Sequence, residues 1–133
     1  MLWRASNLLQ RLHGGCLRSL DVTPTQFSLM TCLMYLQDEG DVTASRIVAH
    51  TGMDKMMVSD VLKTLTQKRL VAKERHPRDA RASILRPTRR GKAITNAAVR
   101  RIEALDDEFF RPVRNVGALH NALIALVAGT GDS

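Results

Sequence analysis

The sequence predicts a mainly helical α+β fold, and three features predict it. Apolar residues recur at helical spacing over most of the chain. A short helix, a glycine-containing turn and a longer helix follow one another between residues 43 and 68. The only interruption of strand character is a strand–loop–strand stretch at 70–86. A chain of 133 residues has room for one domain, or for a small domain with arms that need a partner.

Leu2, Leu9, Leu12, Cys16 and Leu20 share one face of a first helix, which Gly14-Gly15 weakens and is expected to kink. Thr23-Pro24-Thr25-Gln26 reads as the start of a second helix. Thr23 caps it, Pro24 fills the first helical position, and Gln26 reaches back as in a capping box. Phe27, Met30, Leu33, Met34 and Tyr35 are its expected inward face, and it stops near Gly40. Thr43 caps a third helix to about His50, with Ile47 and Val48 inward. Gly52 supplies the left-handed residue that ends it, and Asp54 caps a fourth helix to about Lys68.

That succession is the layout of a helix-turn-helix. In the fourth helix Val58, Val61, Leu62 and Leu65 form a face that must be buried, while Met56, Ser59, Asp60, Lys63 and Gln67 lie opposite. Any amphipathic helix would show such a split; its neighbours make it a candidate for reading base edges. Residues 70–75 and 82–86 read as two strands of a hairpin. The loop between them is 76–81, and the tip of the hairpin carries Arg75, Arg78 and Arg81, with His76 available to join them. An Arg-tipped hairpin directly after a helix-turn-helix is a wing that can enter a minor groove.

The net charge of +7 is concentrated. Segment 68–92 holds ten Lys and Arg against Glu74 and Asp79, whereas the rest of the chain is close to neutral. A phosphate-binding surface gathers charge in this way. Other classes find no support. No apolar run approaches the ~20 residues of a membrane span, and the amino terminus lacks signal-peptide character, so the cytoplasm is expected. Cys16 and Cys32 read as buried free thiols. His13, His50, His76 and His120 are scattered without zinc-ligand spacing, and there is no phosphate loop or nucleophile–base pair. No enzyme, cofactor or metal is therefore expected.

After Thr88 a long helix carries Ile94, Ala98, Ile102, Leu105 and Phe109 as an apolar stripe until Pro112. A last helix over 117–128 carries Leu119, Leu123, Leu126 and Val127, and residues 129–133 are expected to fray. A second copy of the chain is the simplest cover for these stripes. The expected organisation is a dimerisation helix at 1–22, a winged helix-turn-helix head at 23–88 and dimerisation helices at 89–133. Leu9, Leu12, Phe109, Leu119, Leu123 and Val127 are the expected dimer contacts.

From Val22 to Gly91 the chain resembles the multiple antibiotic resistance regulator (MarR) family. Val22-Thr23-x-x-Gln26-Phe27 with Leu29 and Leu33 is similar to its second-helix pattern. Val58-Ser59, Leu65 and Leu70-Val71 match its recognition helix and first wing strand. Asp79-x-Arg81, then Thr88 and Gly91, has the spacing of its wing signature. The resemblance implies a triangular homodimer with intertwined end helices, regulating transcription under control of a small aromatic or lipophilic effector. It also implies that Asp79 braces the wing and that Arg81 reaches the minor groove. Arg69, Ala80 and Pro87 depart from the pattern, standing where glycine, arginine and leucine are usual. Asp60 also departs, and Cys16 lies too late in its helix for the family's peroxide-sensing role.

The expected function is sequence-specific binding of double-stranded DNA by a repressor dimer. Lys55, Met56, Ser59, Asp60, Lys63, Arg75, Arg78, Asp79 and Arg81 are the DNA-facing candidates, Asp60 being expected to pair with Lys63. Trp3, His13 and Tyr35 are candidates for an effector pocket. The competing reading is a winged-helix module or anti-repressor that binds protein and has no operator.

Overall fold

The computed structural model describes residues 1–129 and contains eight elements among them. They are α1 (Leu2–Arg18), α2 (Pro24–Gln37), α3 (Ala44–Thr51), α4 (Lys55–Gln67), β1 (Val71–Arg75), β2 (Ser83–Pro87), α5 (Arg89–Phe110) and α6 (Val116–Gly129). Strands β1 and β2 form one antiparallel ladder from Val71 opposite Pro87 to Arg75 opposite Ser83. An isolated bridge from Val42 to Leu85 attaches the segment before α3 to this hairpin. The fraying expected of 129–133 lies outside the described residues beyond Gly129, which still belongs to α6.

The caps expected from sequence are formed. Thr23 Oγ1 accepts from Gln26 N at 3.1 Å, and Gln26 Oε1 accepts from Thr23 N at 3.2 Å. Thr43, Asp54 and Thr88 cap α3, α4 and α5 through their side chains. Gly52 ends α3 at φ 71°. Helices α1 and α4 end differently, in Schellman turns whose left-handed residue is not glycine. Asp21 (φ 57°) and Arg69 (φ 61°) take that position. The turns close through Val22 N to Leu17 O at 3.2 Å and Leu70 N to Leu65 O at 2.9 Å.

Helix α2 is the centre of the core. It touches α1, α3, α4, α5 and β2, so its apolar residues are used on several sides. Leu29, Met30, Cys32, Leu33 and Leu36 are buried against Ile47, Val58, Leu65 and Leu85. The expected inward face is corrected here: Phe27 and Met34 are only half-buried, and Tyr35 is 59% exposed. A single-stripe reading fails for a helix with neighbours on most sides. Helix α1 runs unbroken through Gly14 and Gly15, and Leu20 lies beyond its end. Cys32 is buried, which pushes its thiol up despite the opposing charge of Arg46, whereas Cys16 is only half-buried. The end helices are the least covered parts: α6 has no buried residue, and Leu17 is the only buried residue of α1.

One seam fixes the hairpin to the helices. Thr88 Oγ1 donates to Arg69 O at 2.7 Å and accepts from Gly91 N at 3.0 Å, while Thr88 N donates to Leu70 O at 3.0 Å. The first turn of α5 lies so close to this backbone that a Cβ at residue 91 would sit 2.1 Å from Leu70 O. Gly91→Ala should therefore cost roughly 2–3 kcal/mol, seen as a fall of about 10 °C in Tm. Arg69→Gly should act the other way. Relieving a left-handed arginine outweighs the added freedom of the unfolded chain, for a gain of roughly 0.5–1 kcal/mol. Thermal melts of both variants check the pair, and an unchanged Tm for Gly91→Ala would mean that the seam is looser than described.

Candidate nucleic-acid interface

Helix α4 is positioned by what precedes it. Thr51 Oγ1 donates to Ile47 O and accepts from Met53 N, which together with Gly52 sets the turn. Asp54 Oδ2 then accepts from Met57 N at 2.9 Å and starts the helix. With Val58, Leu62 and Leu65 buried, Lys55, Met56, Ser59, Asp60 and Lys63 are all exposed, as expected. The expected Asp60–Lys63 pair is not formed: among the described residues no ion pair joins them. Asp60 instead contributes its backbone carbonyl to Thr64 Oγ1 at 3.2 Å.

The wing loop is held from within. Asp79 Oδ1 accepts from Arg81 N at 3.0 Å, a turn that fixes the chain direction where the Arg81 side chain departs. His76 does not join the arginines. Its Nδ1 accepts from Arg78 N at 3.1 Å and from Asp79 N at 3.0 Å, so the ring serves as the inner support of the loop. Accepting both bonds requires Nδ1 to be unprotonated.

These parts converge. A cleft of about 390 Å³ is lined by Thr43 and Ser45 of the α3 start, Lys55 and Ser59 of α4, Lys73 of β1, and Asp79 and Arg81 of the wing. Of the sequence candidates it gathers Lys55, Ser59, Asp79 and Arg81, while Met56, Asp60, Lys63, Arg75 and Arg78 lie outside its lining. Three cations against one carboxylate, beside two helix N-termini, make it attractive to an anion. Sequence reasoning missed Thr43, Ser45 and Lys73 as members. Lys73 was visible only as one charge among ten, Thr43 only as a helix cap, and Ser45 carried no signal of its own.

The basic segment is also less uniform than its composition. Arg86 pairs with Glu74 at 3.1 Å and with Asp41 at 3.6 Å. Lys68 Nζ donates to Asp21 O at 2.7 Å and to Gln26 Oε1 at 3.0 Å, tying the end of α4 to the α1–α2 junction. Lys73, Arg75, Arg78 and Arg81 form no ion pair among the described residues, so the far half of the hairpin carries four uncompensated cations.

The effector candidates are not brought together. Trp3, 75% exposed, borders an open groove of about 630 Å³ with Arg4, Asn7, Gln10, Arg11 and Pro24. His13 Nε2 lies 2.6 Å from Asp106 Oδ1 and links α1 to α5. Tyr35 contacts the His50 ring at a centroid distance of 5.7 Å. Ten residues of helix separate Trp3 from His13 by roughly 15 Å. Among the expected dimer contacts, Leu9, Phe109, Leu119 and Leu123 are half-buried, and Leu12 and Val127 are exposed. No group of His, Cys, Asp and Glu among the described residues could hold a metal ion. No helix among them is long and apolar enough to cross a membrane.

The sequence profile of the MarR family matches residues 20–82. The Bacillus subtilis helix-turn-helix-type transcriptional regulator YdcH is 33% identical over 111 residues, which cover 83% of this chain and 76% of the relative. BpsR of Bordetella bronchiseptica, whose DNA binding is regulated by 6-hydroxynicotinic acid, aligns with a TM-score of 0.79 and 23% identity over 99% of this chain and 91% of its own. A MarR mutant from E. coli, solved with operator DNA, aligns with a TM-score of 0.77 and 21% identity over 94% and 89%.

The internal support of the wing makes a prediction that needs no ligand. His76→Ala should leave Tm nearly unchanged, because the loop is exposed, but should lower the backbone amide order parameters of residues 77–81 toward the ~0.6 typical of flexible segments. Relaxation measurements giving the same order parameters as the parent protein would show that the ring is not a support.

Proposed function

Because this chain belongs to the MarR family of transcription regulators, we propose that it is a cytoplasmic repressor that binds duplex DNA sequence-specifically as a homodimer. The observation that carries this reading is the joining of helix and wing. Lys55 and Ser59 of α4 and Arg81 of the hairpin border one cationic cleft. In this reading α4 enters a major groove, with Lys55, Met56, Ser59, Asp60 and Lys63 facing base edges or phosphates. Arg75, Arg78 and Arg81 reach toward the adjacent minor groove, with Asp79 holding the turn beneath Arg81.

Two heads need a common support, and the proposed divisions at 1–22, 23–88 and 89–133 supply it. Val116, Ile124 and Leu126 are 46–59% exposed, and α6 contains no charged residue. Apolar surface of this extent suits burial in a partner. Leu9, Leu12, Phe109, Leu119 and Leu123 are the proposed contacts, together with Val127. The groove beside Trp3 suits a small aromatic anion, which the indole could stack and Arg4 or Arg11 could pair. Since Trp3 is the only tryptophan, quenching of its fluorescence by an aromatic carboxylate checks that part of the reading. No quench at millimolar ligand would remove it.

One titration tests the main reading. Anisotropy of a duplex carrying the promoter region of this protein's own gene should report tight binding that falls roughly 10³-fold between 50 and 200 mM salt. Arg81→Ala should weaken binding at least tenfold with an unchanged Tm, since the side chain lies in an exposed turn. Leu123→Glu should lower the dimer fraction in sedimentation and the DNA affinity together. Parent-like binding by Arg81→Ala would remove the wing from the reading. Absence of binding to any duplex would favour a protein-interaction module.

A further inference from the structure

Met56 stands apart on the exposed face of α4. It lies in the first turn of the helix, on the side opposite Val58, Leu62 and Leu65, and it is 73% exposed. Its neighbours on that face, Ser59, Asp60 and Lys63, are all polar and exposed. A solvated helix face gains nothing from a large thioether there, and none of the core contacts of the head depends on it. The place of residue 56 on the helix is nevertheless fixed, because the Asp54 cap sets the start of α4. Met56 follows Lys55 in sequence and stands one helical turn before Ser59; those two residues border the cleft shared with the wing, and Met56 lies just outside its lining.

The edges of base pairs in a major groove present donors, acceptors and one apolar group, the 5-methyl of thymine. An unbranched, polarizable side chain complements that methyl group, whereas its thioether has no donor and only a weak acceptor to offer the polar sites around it. We propose that Met56 is a specificity residue that selects thymine at one position of each half-site by packing its thioether against the thymine 5-methyl group. The inference rests on the DNA-binding reading above and adds to it a base and an atom.

Deoxyuridine differs from thymidine only by that methyl group and isolates the contact. Duplexes enriched by this protein from a random pool are rescanned with each thymine replaced in turn by uracil. The parent protein should lose about fourfold in affinity at one thymine per half-site, the value of one buried methyl group, and little elsewhere. Met56→Gln should bind the thymine and uracil duplexes equally at that position. Met56→Leu, which keeps an apolar surface of similar size, should retain the preference. Enrichment without any thymine-sensitive position, or a Met56→Gln variant with the parent's sensitivity, would overturn the assignment of Met56 alone. A pool from which no duplex is enriched would overturn the DNA-binding reading and this one with it.

Discussion

The approach of α5 to the backbone at Leu70 is the constraint on which the rest of the molecule depends. Three elements meet there. The turn after α4 ends at Arg69, β1 begins at Val71, and β2 ends at Pro87 immediately before the α5 cap. Thr88 binds both carbonyls of the turn, and the missing side chain at Gly91 lets the helix settle onto Leu70 O. The root of the hairpin is thereby tied to the end of α4, so helix and wing keep one relative position. The Val42–Leu85 bridge does the same at the start of α3. A cleft bordered by α3, α4 and the wing is a consequence of these two attachments more than of any contact across the cleft itself.

Charge is used in two ways on either side of that seam. Lys68 and Arg86 are spent inside the chain, where they join segments distant in sequence. Exposed pairs of this kind each contribute at most about 1 kcal/mol, so their value lies in fixing geometry. The cations farther along the hairpin have no such partners among the described residues. The backbone of this wing is held by His76 and Asp79 while its basic side chains are left unpaired, an arrangement that would place them in advance of a partner. A loop held in this way would have less conformational entropy to lose on association.

Element order was legible in the sequence because its signals are local. A capping box, a glycine at a helix end and a proline at a helix start each act within a few residues, and the structure forms all of them. The split faces of α4 and the hairpin were legible for the same reason. What escaped depended on distant neighbours. Leu29 and Leu36 are buried, and Tyr35 is left on the open side, because α2 has neighbours on several sides, which no periodicity within α2 can say. Lys73 and Ser45 border the cleft only because the hairpin folds back toward α3. His76 reads as one more basic wing residue until the loop geometry shows its ring accepting two backbone amides. Gly91 was visible as part of a spaced motif, but its physical reason, the 2.1 Å approach, belongs to the packed structure alone.

The two left-handed residues show how the fold accommodates local strain. A non-glycine residue in this conformation costs roughly 1–2 kcal/mol, and the chain accepts it twice, at Asp21 and Arg69. Each turn brings together a pair of apolar residues that the helix alone would not: Leu17 with Val22, and Leu65 with Leu70, all four at most 5% exposed. Burying one such side chain contributes roughly 1.5–3 kcal/mol, so each pair outweighs the strain that positions it. Glycine at Arg69 would remove the strain but would also free the residue whose carbonyl holds Thr88. Arginine there narrows the conformations open to the exit of α4, and the direction of that exit sets the direction of the wing.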